Sequence, residues 1–384
     1  MKKLSLALLP FLLMSCSMFN PYGTNNIPEP AVVPHFAPQL TPHLLWQKTV
    51  GVGSAGAYLR LAPTVSGSTI YTMDQKGLLS ATTSEGVSLW QINYPAGGKS
   101  DLASDGQSLA FVDAKATLHV VSSDHAHSLW TAHLSDQALA APTFTENLVI
   151  TKTIDGNVSA FDRKTGNTLW QYEHDASLLS LRASSPVLVV GSVAYVGFAD
   201  GAVVALNIAN GEVLWSEQAA EPQGFLEVQR MVDIDAHLIA SGNRLYAATY
   251  QGQVTAFDRI TGKIIWQQEN SVYADIALQQ GVVYAVNADG TLNAYAAENG
   301  HLLWQQKALS WHFLTGPALS QNHLVVGDVQ GDLYFINATD GALLAQLPVY
   351  KKSAIITRPF VVNNLLCAID VKGSLTAVSY TQAT

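Results

Sequence analysis

Cysteine is nearly absent from this chain: of 384 residues, only Cys16 and Cys367 carry a thiol. A framework of several disulfides is thereby excluded. Cys367 lies in the apolar run Leu365-Leu366-Cys367-Ala368-Ile369 and reads as a small buried core residue, not a nucleophile. Charge is also scarce, at 13% of residues, and basic charge scarcest, with 20 Lys and Arg against 29 Asp and Glu. A chain so short of cations does not bind nucleic acid by neutralising phosphates. No apolar run approaches the roughly 20 residues of a membrane-spanning helix. Motifs of chemistry are missing as well. There is no Gly-x-Ser-x-Gly elbow, no His-Glu-x-x-His, no Walker loop and no EF-hand loop. The pair His125-Ala126-His127 has no neighbouring acid to complete a zinc site and reads as solvent-facing. No catalytic residue, metal or cofactor is expected. What remains is 48% apolar residues, which suits a large β-rich body with an extensive core.

The N-terminus opens with Met1-Lys2-Lys3, an apolar stretch over residues 4–14, and Ser15-Cys16. A basic start, a short apolar core and a small residue before a cut site predict a secretory signal peptide over residues 1–15. Its removal takes away two lysines and no acid, leaving 18 basic against 29 acidic residues and a net charge of −11. Leu13-Met14-Ser15-Cys16 resembles the lipobox of bacterial lipoproteins. That resemblance implies an acylated Cys16 as the first residue of the mature protein, and Ser17 after it implies sorting to the outer membrane. Each buried methylene contributes ~0.8 kcal/mol, so two or three acyl chains make a stable anchor. Pro21, Pro28, Pro30, Pro34, Pro38 and Pro42 then punctuate residues 16–42 as an extended, semi-rigid tether.

From residue 43 to 380 the chain is a repeat. Asp155-Gly156 leads through Ala160-Phe161-Asp162 and Thr165-Gly166 to Leu169-Trp170. The pattern returns from Asp200-Gly201 to Trp215, from Gln251-Gly252 to Trp266 and from Asp289-Gly290 to Trp304. Weaker copies end at Trp90, Trp130 and Ala345, and a last begins at Lys372-Gly373 without reaching a tryptophan. Leu44-Leu45-Trp46-Gln47 matches the tryptophan strand but has no Asp-Gly turn before it, so it supplies the missing outer strand of the last copy. Eight four-stranded blades follow, closed into a β-propeller by the N-terminal strand. Asp-Gly and Thr-Gly pairs serve tight hairpins. Each repeated tryptophan is expected to end its strand and pack between blades. Only Trp311 stands off the pattern.

The repeat, best seen from Ala160 to Trp170, is similar to the pyrroloquinoline-quinone-type propeller repeat. Together with the lipobox, the proline-rich tether and closure by Trp46, it resembles the BamB family of outer-membrane lipoproteins. The resemblance implies a non-enzymatic scaffold, lipid-anchored on the periplasmic face of the outer membrane, in the machinery that assembles β-barrel proteins. Its implied partner is the central barrel-inserting subunit. Two enlarged connections, within 175–186 and 219–237, point to the contact surface, since the spacings Trp170 to Trp215 and Trp215 to Trp266 are 45 and 51 residues. They carry Leu178-Leu179-Ser180-Leu181-Arg182 and Asp233-Ile234-Asp235. Carried over from the family, Leu179, Leu181, Arg182, Asp233 and Asp235 are the expected binding residues. An internal salt bridge between Arg182 and one of the aspartates is the structural alternative, and both can hold together. Blade edges also permit a second partner class, nascent outer-membrane protein strands added by β-augmentation, although no residue demands it. Quinone dehydrogenases share the repeat, but this chain has no adjacent cysteines and only one Asp-x-Asp pair where calcium takes 6–8 oxygens.

Overall fold

The computed structural model describes residues 28–54, 56, 59–175 and 185–383. Cys16, Leu179, Leu181 and Arg182 lie outside them. The described residues form eight four-stranded antiparallel sheets. Blades 1 to 7 occupy residues 64–93, 103–133, 143–173, 188–218, 239–269, 276–306 and 318–348, each running in chain order from innermost to outermost strand. Blade 8 joins three C-terminal strands, Phe360–Val362, Leu365–Ile369 and Ser374–Gln382, to the N-terminal strand Leu40–Thr49. That last pairing runs from Leu40 opposite Gln382 to Thr49 opposite Ser374 and closes the ring.

The repeated tryptophan does not end its strand. In blade 3 the outer strand is Thr168–Glu173, with Trp170 third. A register shift sits there: Ala160 pairs with Trp170 while Phe161 pairs with Thr168. The extra residue, Leu169, is turned outward and exposed. Such a bulge lets one strand place a large ring inward without breaking the alternation on either side. The same shift recurs in the other blades.

Where present, the tryptophan packs its blade against the next. Trp170 donates its indole N–H to the Ile208 carbonyl of blade 4 at 2.8 Å, and Trp266 donates to Ala297 of blade 6 at 3.0 Å. The receiving turn, between the third and fourth strands, carries a Thr-Gly or Asn-Gly pair in blades 3 to 6. Gly211 there has φ +75°, and a Cβ on it would stand 2.7 Å from the Trp170 ring. Glycine is required twice over, by the left-handed backbone and by the aromatic lid above it. Blade 7 has Ala345 in place of tryptophan for a reason visible in the topology. The third and fourth strands of blade 8 come from opposite ends of the chain, so no turn joins them for an indole to cover. Leu40 and Tyr380 pack into that region instead.

The segment expected as tether is partly built into the body. Its strand begins at Leu40 rather than beyond Pro42. Upstream, the Ala31 N–H donates to Ser310 at 2.9 Å, and His312 Nε2 meets the Ala31 carbonyl at 2.9 Å. His312 Nδ1 faces Asp328 at 3.0 Å; that hydrogen bond outweighs burial and raises the imidazole pKa. Val33 and Phe36 pack against the core between blades 6 and 7. Residues 28–39 are thus a strap across the propeller wall. No helix among the described residues is long and apolar enough to cross a membrane.

Candidate functional site

Strands alternate in direction within a blade, so two sets of connections share one face. These are the turns between second and third strands and the connections between blades. The enlarged connection from blade 4 to blade 5 lies there, between Gln218 and Ile239. It has two parts of opposite character. Its tip is a 3-10 turn, Glu227–Arg230, with the Gln229 side chain accepting from the Phe225 and Leu226 backbone N–H groups, both at 3.1 Å. Phe225 is fully exposed, and Leu226 and Val228 are largely so. Its base, residues 231–236, is buried throughout.

Packing explains that base. Ile234 has no exposed surface and sits against Gly197, where an added Cβ would come within 2.5 Å of its side chain. Backbone bonds from Ile234 to Phe198 and from Tyr250 to Asp233 pin the segment to blades 4 and 5. With Ile234 facing inward on one side, its neighbours Asp233 and Asp235 are brought under the surface too. Asp233 is 0% and Asp235 8% exposed. The structure therefore places both expected aspartates in the base of the connection, not on its surface.

Asp235 belongs to a cluster at the mouth of the central channel. Arg60, which precedes blade 1, forms an ion pair with it and donates to the Tyr273 carbonyl at 2.6 Å. Blades 1 and 5 are opposite each other in an eight-membered ring, so one arginine reaches across the axis. Burial works against the Arg60 charge, but Asp235, Asp275 and Asp101 outweigh it and raise its pKa. Asp101 in turn accepts from the Ala62 N–H at 2.7 Å, and burial pushes its carboxyl up. Lys152, buried at the end of a blade 3 strand, donates to the Gly197 carbonyl at 2.7 Å. Burial lowers its pKa to about 8 against the opposing pull of Asp235 and Asp233. Positive groups from blades 1 and 3 thus converge on the base of the blade 4–5 connection. Neither Arg60 nor Lys152 was legible as a site residue, because each lies far in sequence from the aspartates it faces.

Beside Asp235, His237 and Asp275 form a short imidazole–carboxylate hydrogen bond, and the His237 N–H donates to the same carboxylate at 3.1 Å. For Asp275, burial is outweighed by His237, Arg358 and Arg60, which hold it well below the usual carboxylate range. For His237, burial is outweighed by Asp275, which raises the imidazole. The depressed acid contributes stability that is full above its ordinary value of 3.8 and is lost as pH falls through the lower folded value. The raised base contributes stability that is full below 6.5 and is lost as pH rises through the higher folded value. The pair's contribution therefore peaks between these limits. Urea midpoints from about pH 3 to about pH 9 should show both flanks, and Asp275→Asn should flatten them. An unchanged profile in the variant would remove the pair as a source of pH dependence.

The model of one protein family, described as outer membrane protein assembly factor BamB, matches residues 75–306 and 239–384. The chain belongs to the BamB family. Its BamB relative from Yersinia pestis is 28% identical over 367 residues, covering 92% of this chain and 93% of the relative. The crystal structure of BamB from Moraxella catarrhalis superposes with a TM-score of 0.77 at 22% identity, covering 90% of this chain and 99% of that one. A quinohemoprotein alcohol dehydrogenase from Pseudomonas putida HK5 shares the propeller, with a TM-score of 0.70, but at 12% identity, over 90% of this chain and 76% of its own. That likeness is one of fold alone. Among the described residues, no three His, Cys, Asp or Glu side chains are grouped to hold a metal ion. At the axis, Arg60 is committed to Asp235 and Tyr273. The BamB relatives are named as assembly factors, not as enzymes.

Proposed function

We propose that this chain is a non-enzymatic scaffold of the machinery that assembles β-barrel proteins in the outer membrane. It is held on the periplasmic face by acyl chains on Cys16, and it binds the central barrel-inserting subunit through the face that carries the two enlarged connections. The observation that supports this most directly is family membership across most of the propeller. In this reading Leu179, Leu181 and Arg182 supply the contact, apolar anchors beside an arginine being a common composition of interface hot spots. Asp233 and Asp235 complete the site from beneath. Buried and braced by Arg60 and Lys152, they fix the height and direction of the connection, so little order is lost when a partner docks. Anchoring raises the local concentration of the scaffold around the machinery and needs no chemistry.

Affinity capture from detergent-solubilised envelopes tests this. The mature lipoprotein should retain a complex containing the barrel-inserting subunit. Arg182→Glu, with an unchanged thermal transition, should lower that retention at least about tenfold, the scale of losing a charged interface anchor. Equal retention by both proteins would remove Arg182 from the contact. No such complex with the wild-type protein would overturn the scaffold reading.

A further inference from the structure

The tryptophan that stands off the repeat, Trp311, belongs to a strained segment. Its φ is +64° and that of Phe313 is +52°, so His312 lies between two residues in the left-handed region. Side chains other than glycine seldom occupy that region. The segment runs in the connection between Gln306 and Ala318, on which the strap docks. Between its two strained neighbours the His312 ring is only 5% exposed.

The acceptors on either side of that ring both call for a proton. Nε2 meets the Ala31 carbonyl at 2.9 Å, and a carbonyl only accepts. Nδ1 meets Oδ2 of Asp328 at 3.0 Å. Oδ1 of that carboxylate already accepts the backbone N–H groups of Gln330, Gly331 and Asp332, each at 2.9 Å. The Tyr334 hydroxyl lies 3.3 Å from both Oδ2 and Nδ1. Burial, Asp328 and Asp332 push the tyrosine pKa up, so it stays a hydroxyl. A neutral imidazole has one donor nitrogen and one acceptor nitrogen, and only the imidazolium donates from both. His312 therefore serves Asp328 and Ala31 together only when doubly protonated. Deprived of one proton, the ring keeps the other for the buried carboxylate, the stronger bond being the charge-assisted one. The Nε2 lone pair then faces the Ala31 carbonyl.

That carbonyl belongs to the first fastening of the strap. Ala31, Val33 and Phe36 are half-buried against the wall, while Glu29, Val32, Pro34 and His35 are exposed. At the far end the Gln39 N–H donates to the Leu344 carbonyl at 2.8 Å, and the closing strand follows. We infer that His312 is a proton-operated latch: protonated, it holds residues 28–36 against blades 6 and 7, and deprotonated, it releases them about Gln39. The groups acting on the ring are Asp328 and Asp332 from the second turn and third strand of blade 7, and Tyr334 beside them. The hydrogen bond from Asp328 outweighs burial and raises the imidazole, so the latch is closed below the ordinary 6.5 and opens as pH rises through the higher docked value. Release frees nine residues and adds at most about 30 Å of reach. With Cys16 acylated, as proposed above, that length is slack in the tether and sets how far the propeller stands from the membrane. The latch itself does not depend on the anchor.

The test uses the full mature chain carrying Val32→Cys, at a strap position that is almost fully exposed, labelled with a nitroxide. Its electron paramagnetic resonance line shape separates docked from released strap. Cys367 is buried and does not take the reagent, and the chain without the substitution, treated alike, is the blank for Cys16. From about pH 6 to about pH 10 the ratio of mobile to immobile label should rise at least about tenfold, the scale of one lost hydrogen bond to a charged group. His312→Gln should be mobile throughout and insensitive to pH. Asp328→Asn should do the opposite. Its oxygen keeps the three backbone donors and its amide nitrogen donates to Nδ1, so a neutral ring is free to donate to Ala31 and the strap stays docked across the range. His35→Gln, on the exposed side of the strap, should titrate as the unmutated histidine does. A line shape constant with pH in the labelled chain, a response that survives in His312→Gln, or release of Asp328→Asn at the same pH would each overturn the latch. Should either latch variant lose its thermal transition, the titration of the labelled chain beside His35→Gln still decides. An unlipidated Cys16 would leave the titration intact and remove only its effect on reach.

Discussion

Arg60→Leu should lower the unfolding free energy by about 3 kcal/mol, the cost of breaking a buried ion pair from one side. The carboxylate of Asp235 is almost wholly buried and has Arg60 as its ion-pair partner across the channel mouth. Removing the guanidinium takes away its charge and a donor to the Tyr273 carbonyl, while the buried base of the connection keeps Asp235 in place. The double variant Arg60→Leu with Asp235→Leu should recover part of the loss, because it removes the buried carboxylate along with the guanidinium that faces it. Urea unfolding of the four proteins of this cycle gives the coupling directly. A loss below about 0.5 kcal/mol in Arg60→Leu, the range of ordinary surface substitutions, would refute the clamp across the axis.

Trp266→Ala should cost about 3–5 kcal/mol, the range for truncating a large buried aromatic. Trp266 is 7% exposed and sits between Tyr246 and Tyr295, at centroid distances of 6.0 and 6.4 Å, so it belongs to blades 5 and 6 at once. Its indole also satisfies Ala297 in the receiving turn, and its ring covers Gly300, where a Cβ would stand 2.7 Å away. Trp266→Phe separates these roles. It keeps most of the packing and loses the hydrogen bond, and should cost only about 1–2 kcal/mol from bond and volume together. If the two variants unfolded at the same urea concentration, the indole N–H and not the ring would be the fastening.

The architecture was readable because its physics repeats. Turn glycines, strand residues and tryptophans recur at blade spacing, and Trp46 standing without a preceding Asp-Gly turn identified the closing strand. Two features hid. The bulge beside each tryptophan leaves no mark except an exposed leucine such as Leu169, which a pattern of alternation reads as part of the core. The docking of residues 28–39 hid behind their prolines, because an extended strap and an extended tether share one composition. The site was legible only as loop length and resemblance. That Asp233 and Asp235 are buried follows from Ile234 packing on Gly197, a contact between blade 4 and its outgoing connection that no local pattern announces.

Ring closure has a kinetic side. Leu40–Thr49 is the earliest strand of the described chain and its partner Ser374–Gln382 the latest, so seven blades can condense from local hairpins while the eighth waits. Long-range pairing of this kind is the slow event in folding, because loop entropy is spent before the contact returns it. Until then, the third strand of blade 8 exposes a bare edge that any other extended chain could occupy. The strap places the N-terminal strand close to where it is needed: Val33 and Phe36 bind the wall of blades 6 and 7 and deliver Leu40 to the seam. The N-terminal strap is thus placed to guide the closing strand of its own propeller, turning a search between distant ends into the last step of a zipper.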